Sequence, residues 1–358
     1  MKSNTAVGEP SVDRLLKKRK HFLPIDEILK EKAPNHTEIE VCFFHTCNIN
    51  CKFCWQSSSD ERGEDTIVEK ADIVLEYAQK SPVNSFIQIH LLGGEIFDDG
   101  KNRYNDYKAF LSKIHENLKT KHKFIFLTNM NWSTDSTDSE VESLIAYMES
   151  MGIDFHFTTS WDPTGRPIKG EVETDFHKNL MKYKKYVSEI TFVLTKPTIQ
   201  KLLGRDTSYL DLLITEGFQV DIDYYMPTSS TDQLMPTDRM LLEAMLCLNK
   251  HYPKIKKMSN LEGKITCMSP SKVTIMPDGT LTCCMHIEYD QKEFNTPIVK
   301  ESNSPLILNF LEKNGCFSCE YYSKCPFTCF VMDDHKSFKR ELNDCLYKLY
   351  FDKTKITS

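Results

Sequence analysis

Cys47, Cys51 and Cys54, in the stretch Cys47-Asn48-Ile49-Asn50-Cys51-Lys52-Phe53-Cys54-Trp55, are the residues of this chain best placed by type and spacing to do chemistry. Cys-x3-Cys-x2-Cys lets one short loop wrap three thiolates around a single inorganic centre. Three thiolates are one short of the four that close a tetrahedral zinc site or a fully ligated iron–sulfur cluster. A centre with an open position binds a substrate or cofactor directly, so the missing ligand is informative. On the loop alone, a zinc site completed by a histidine such as His45 competes with a cluster.

A second cysteine set lies towards the other end of the chain. Cys316-x2-Cys319-x5-Cys325-x3-Cys329 is followed by Cys345, and Cys267-x11-Gly279-x4-Cys284 precedes it. Such fixed offsets are the mark of metal or cluster ligation rather than chance. Between the two sets lies Leu91-Leu92-Gly93-Gly94-Glu95. Its two glycines let the backbone approach a ligand closely, and its carboxylate suits an ammonium group. Gly-Gly after a strand is also an ordinary turn. Ser160-Trp161-Asp162 and Asn129 come after later strands. Cys42 and Cys247 stand in apolar contexts and read as packed thiols.

The chain has 358 residues, enough for one large domain and a smaller one. A net charge of −6 and the absence of a basic, aromatic-interleaved patch argue against nucleic acid as partner. No apolar run approaches the roughly 20 residues that span a bilayer. With a charged N-terminus and no secretory signal, the expected location is the cytoplasm. There, 13 cysteines, an odd count, point to ligation and not to disulfides.

The elements that must position these residues obey a regular plan. Strand-like runs at Glu38–Phe44, Ser85–Leu92, Lys123–Thr128, Ile153–Thr158, Glu189–Thr195 and Gln219–Tyr225 alternate with amphipathic helical stretches. The helices are expected at Ile67–Lys80, Tyr104–Leu118, Ser139–Met151, Asp175–Val187, Asp206–Glu216 and Thr237–Lys250. Six βα units imply parallel strands with right-handed crossovers, either in an open doubly wound sheet or in a partial barrel. Ligands gather at the carboxyl ends of the strands in both. Beyond about residue 255 the pattern changes to a hairpin, Lys272–Met276 and Thr280–Cys284 around Pro277-Asp278-Gly279. A cysteine-dense, loop-rich region comes next, with a last helix expected from about Asp334 to Tyr350. The organisation expected is a polar extension over 1–37, a core over 38–255 and a small domain over 256–358.

The thiol loop, with an aromatic before its last cysteine, resembles the signature of the radical S-adenosylmethionine (radical SAM) enzymes. Gly93-Gly94-Glu95 resembles the motif that holds the amino group of S-adenosylmethionine in that family, with Ile96 where a proline is usual. Ser160 resembles a cofactor-contacting serine, with Pro163 in place of the usual glycine. Asn129 stands where relatives carry Thr-Asn-Gly, and Met130 replaces that glycine. The seven C-terminal cysteines resemble the SPASM extension, which binds two auxiliary 4Fe–4S clusters. The resemblance implies an α/β fold, a partial (β/α)6 barrel followed by a small cysteine-rich α+β domain. It implies one cluster on Cys47, Cys51 and Cys54, a closed one on Cys316, Cys319, Cys325 and Cys345, and a third on Cys267, Cys284 and Cys329. The third either leaves one iron open or takes Cys283, an awkward ligand because adjacent strand residues point to opposite faces.

The resemblance further implies an oxidoreductase that binds S-adenosylmethionine at the open iron and generates a 5′-deoxyadenosyl radical. Its expected target is a ribosomally made peptide or a protein side chain, and its expected electron donor is a low-potential flavodoxin or ferredoxin. Met285 after Cys284 departs from the sulfatase-maturing subgroup, which tends to place an aspartate there. Dehydrogenation of a small molecule is the enzymatic alternative, and a non-catalytic iron–sulfur or zinc protein is the alternative from another class. The sequence names neither the substrate, the bond formed nor a catalytic acid or base.

Overall fold

Alternating apolar and polar residues in the strands produce a sheet with one greasy and one polar face. The computed structural model describes residues 36–54, 63, 65–80, 86–162, 171–226, 232–253, 255, 272–285, 294–296, 304–322, 325 and 329–354. Its strands are β1 (Thr37–Cys42), β2 (Ile87–Leu92), β3 (His122–Leu127), β4 (Phe155–Trp161), β5 (Val187–Leu194), β6 (Val220–Tyr224), β7 (Lys272–Ile275) and β8 (Leu281–Thr282). The helices are α1 (Lys70–Lys80), α2 (Tyr104–Asn117), α3 (Asp135–Ser150), α4 (Glu171–Lys182), α5 (Lys196–Leu203), α6 (Ser208–Thr215), α7 (Asp238–His251), α8 (Ser304–Lys313), α9 (Phe330–Asp334) and α10 (Leu346–Thr354). The cysteine at 267 and the extension over 1–35 lie outside the described residues.

The strands form one sheet in the order β6-β5-β4-β3-β2-β1-β7-β8. All neighbours are parallel except β7 and β8. Each βα unit from β1 to β6 steps the same way, so right-handed crossovers put the helices on one face and leave no switch point. That order makes the sheet a partial barrel, unclosed, and decides against the doubly wound alternative. Ile39, Val41, Ile89, Phe124, Phe126, Phe157, Ile190, Phe192 and Ile222 are buried towards the helices. Their strand neighbours Glu38, Glu40, His90, Lys123, His156, Ser160, Glu189, Asp221 and Asp223 fall on the opposite face by the period of two. The concave side is therefore polar.

The hairpin expected near residue 279 forms. Gly279 takes φ +81°, and Asp278 Oδ1 accepts from Thr280 N at 3.0 Å and from Thr280 Oγ1 at 2.7 Å. It also joins the main sheet, because β7 pairs with β1. Lys272 reaches Glu40 at 2.7 Å and Glu38 at 3.7 Å, and Thr274 Oγ1 donates to Glu40 Oε2 at 2.6 Å. Burial pushes the Glu38 carboxyl upward, but His36, Lys272 and His90 outweigh it and hold the group at about 2.

The last helix differs from expectation. Instead of one helix from Asp334 to Tyr350, α9 ends at Asp334 and α10 begins at Leu346. The intervening backbone is drawn off by tertiary partners. His335 bridges to Phe294, and the N–H groups of Glu341 and Leu342 donate to Asp238 at 2.7 and 3.3 Å. Two further helices, α5 and α8, escaped the periodicity reading. Thr237 caps α7 as expected, accepting from Met240 N at 3.3 Å. Tyr347 of α10 hydrogen-bonds Tyr224 of β6, so the C-terminal region touches the sheet at both edges, β7 at β1 and α10 at β6.

Two measurements check this arrangement. Asp238→Ala removes the acceptor of three backbone donors, Arg239, Glu341 and Leu342, and is expected to cost about 2–4 kcal/mol in urea unfolding. The folded pKa of Glu38 is depressed, so its stabilisation is present above about 4.5 and is lost as pH falls through about 2. Glu38→Gln is therefore expected to flatten the acid limb of the stability curve between those values.

Candidate active site at the carboxyl end of the sheet

The thiol loop leaves β1 at the carboxyl end of the sheet, and two glycines from the neighbouring strand let it do so. A Cβ on Gly94 would lie 1.8 Å from the Thr46 carbonyl oxygen, and one on Gly93 would lie 2.9 Å from the Phe44 ring. Glu95 N then donates to Thr46 O at 3.0 Å. On the other side of the loop, Arg103 donates from Nη2 to Thr46 Oγ1 at 3.0 Å and stacks 3.8 Å from the Phe44 ring centre. The pair Gly93-Gly94 here accommodates the chain that carries Cys47, rather than a simple turn.

Glu95 is wholly buried. Its Oε1 accepts from Phe97 N at 2.8 Å and Thr128 Oγ1 at 2.6 Å, and its Oε2 accepts from Asn129 N at 2.5 Å. One carboxylate thus joins the ends of β2 and β3. The β3 loop is held further by Asn179, whose Nδ2 donates to Met130 O at 3.1 Å and Trp132 O at 2.9 Å. Met130 has φ +57°, the left-handed region that glycine occupies easily. It is completely buried, so the side chain anchors the turn.

This loop meets the thiol loop directly. Asn129 Nδ2 donates to Asn48 Oδ1 at 2.8 Å and reaches Cys47 Sγ at 3.8 Å, and Asn48 Nδ2 donates to Asn131 O at 2.5 Å. Burial pushes the Cys47 thiol up to about 12, with the charge of Glu95 adding to it. Cys51 and Cys54 are half-buried on the same loop, tied by Cys54 N donating to Cys51 O at 3.0 Å. Among the described residues, no three Cys, His, Asp or Glu side chains converge as ligands of a single metal ion. A cluster takes each thiolate on a different iron, so its ligands stand further apart than those of one ion. Three soft donors on one loop, with an amide N–H facing one sulfur, fit such a cluster in type and place.

Ser160 lies on the polar face of β4, opposite Thr191 of β5. Of the C-terminal cysteines, Cys284, Cys316, Cys325 and Cys329 are buried, and Cys319 and Cys345 are half-buried. Burial raises the Cys345 thiol, and the proximity of Cys319 raises it further, so these two are brought together across 26 positions of sequence. Cys283 is half-buried and Cys284 is buried, both just past the end of β8, which stops at Thr282 short of the expected Cys284. Cys329 Sγ lies 3.1 Å from Met226 Sδ, just beyond β6. Cys42 is packed in the core. Arg103, Asn48, Asn131 and Asn179 went unsingled in the sequence; only tertiary contact gives them roles.

A protein-family model described as "4Fe-4S single cluster domain" matches residues 39–192. No curated protein sequence matches the chain. Among solved structures, native anSMEcpe with bound AdoMet superposes with a TM-score of 0.62 at 14% identity, covering 89% of this chain and 96% of that one. Streptococcus suis SuiB bound to S-adenosylmethionine gives 0.44 at 13% identity, covering 92% and 81%. The mixed α/β fold, an unclosed parallel barrel followed by a cysteine-rich C-terminal region, is thus shared with anSMEcpe, and the family match places a 4Fe–4S-type domain over its first half.

Met130→Gly tests what holds the turn. Relief of the left-handed strain is worth about 1–2 kcal/mol, whereas losing a fully buried methionine costs about 2–5. Net destabilisation, read as a fall in Tm, is the expected outcome.

Proposed function

We propose that this chain is a radical SAM enzyme that modifies a peptide or protein side chain. The observation that carries the reading is the meeting of the Cys47–Cys54 loop, Gly93-Gly94-Glu95 and Asn129 at the carboxyl end of an unclosed parallel barrel. Cys47, Cys51 and Cys54 would hold a 4Fe–4S cluster with one iron open to the amino and carboxylate groups of S-adenosylmethionine. When bound, the pair supplies one-electron cleavage of the sulfonium, giving methionine and a 5′-deoxyadenosyl radical, with the electron from a low-potential flavodoxin- or ferredoxin-type donor.

The chain's own residues prepare that chemistry. Gly94 seats the thiol loop, Glu95 fixes the carboxyl ends of β2 and β3 beside it, and Ser160 faces the polar side of the barrel. Cys316, Cys319, Cys325 and Cys345 would hold one auxiliary cluster, and Cys267, Cys284 and Cys329 the other. The nearness of Cys319 to Cys345 supports the first set. Cys329 lies beside Met226, just past β6, which supports a second cluster near the mouth of the barrel. A polar concave face and a cluster at its rim suit an extended, hydrogen-bonding substrate such as a peptide.

Anaerobic reconstitution is expected to give a brown protein with about twelve irons per chain. Replacing Cys47, Cys51 and Cys54 together by Ala should leave about eight and abolish 5′-deoxyadenosine formation on reduction with dithionite. A colourless zinc protein, or wild-type protein that binds iron and yields no 5′-deoxyadenosine, would overturn the reading. Mass spectrometry of candidate peptides co-expressed with the chain tests the substrate class.

A further inference from the structure

We propose that Asn129 is a positioning residue whose side-chain amide donates to Cys47 and raises the reduction potential of the cluster on the thiol loop. The inference rests on reading that loop as a cluster site.

The direction of the carboxamide is determined by its partners. Asn129 Oδ1 accepts from Asn131 N at 2.8 Å, so the oxygen faces its own loop and the NH2 group must face the thiols. That NH2 carries two hydrogens. One serves Asn48 Oδ1 at 2.8 Å, and Cys47 Sγ stands 3.8 Å from the same nitrogen. Asn48 is itself oriented, because its Nδ2 donates to Asn131 O. Three asparagines therefore close a circuit between the β1 and β3 loops. Asn129 cannot swing away, since its backbone N–H is held by the buried Glu95 carboxylate and the next residue is locked in the left-handed turn.

An N–H aimed at a ligating sulfur favours the state with more negative charge on the cluster. Reduction adds one electron and no proton, so the donor stabilises the reduced form and lifts the potential. The electron comes from the low-potential donor of the proposed reaction, or from dithionite in an assay. Asn129 is buried together with Thr128 and Met130 beside it, so little water competes for the donor.

The test is an EPR-monitored anaerobic redox titration of the full-length reconstituted protein. The relevant signal is the one absent from the variant with Cys47, Cys51 and Cys54 replaced by Ala. Asn129→Leu removes the donor, and Asn129→Asp keeps the shape and the acceptor for Asn131 while placing a negative charge beside the sulfur. Both are expected to retain iron and to lower the equilibrium constant for one-electron reduction at least tenfold, a shift of about 59 mV, with Asp the lower. A midpoint equal to wild type in either iron-loaded variant overturns the proposal. Loss of this cluster from both variants also overturns it, by assigning Asn129 to holding the loop alone. Failure of the wild-type loop to hold iron is a separate result, which defeats the cluster reading itself.

Discussion

The carboxylate of Glu95 sits where the ends of β2 and β3 and the departing thiol loop come together, wholly out of water. A buried carboxylate is costly unless its oxygens are met by donors. Here the donors are the backbone of Phe97 and Asn129 and the hydroxyl of Thr128, all from segments whose paths determine the site. Because Glu95 N also holds Thr46 O, one residue ties together three consecutive strand ends. The glycine before it permits this closeness, since any Cβ at 94 would overlap the Thr46 carbonyl.

The same carboxylate explains why a methionine is tolerated in a left-handed turn. Glu95 holds the amide of Asn129 and Asn179 holds the carbonyl of Met130, so the backbone at 130 is over-determined from both sides. Burial of the Met130 side chain then more than offsets the local strain. The result is a rigid β3 loop that presents one asparagine amide to the thiol loop.

The C-terminal region completes the architecture by using the open edges of the sheet. An unclosed barrel leaves β1 with unpaired backbone groups, and β7 covers them. Lys272 and Thr274 on β7 compensate Glu38 and Glu40, whose charges would otherwise be stranded on the concave side. At the far edge α10 packs through Tyr347 onto Tyr224. The C-terminal region is thus held against the core by backbone pairing at one edge and side-chain packing at the other, rather than by linker length.

Much of this was legible in the residues in order. Period-two runs located the six core strands to within a few positions, the Asp278-Gly279 turn located the hairpin, and the thiol spacings marked the chemistry, because these are local properties of neighbouring side chains. The single long helix expected after residue 334 was not found, since backbone donors at 341 and 342 are claimed by Asp238 a hundred residues away. Strand order decided between a doubly wound sheet and a partial barrel, and periodicity is silent on order. Nor did spacing single out Asn48, Asn131 or Arg103, ordinary polar residues whose roles come only from what lies across the loop. The sequence by itself determined which thiols are spaced to ligate together; the tertiary structure decided what surrounds them, because hydrogen bonds between strand ends join residues that the chain keeps far apart.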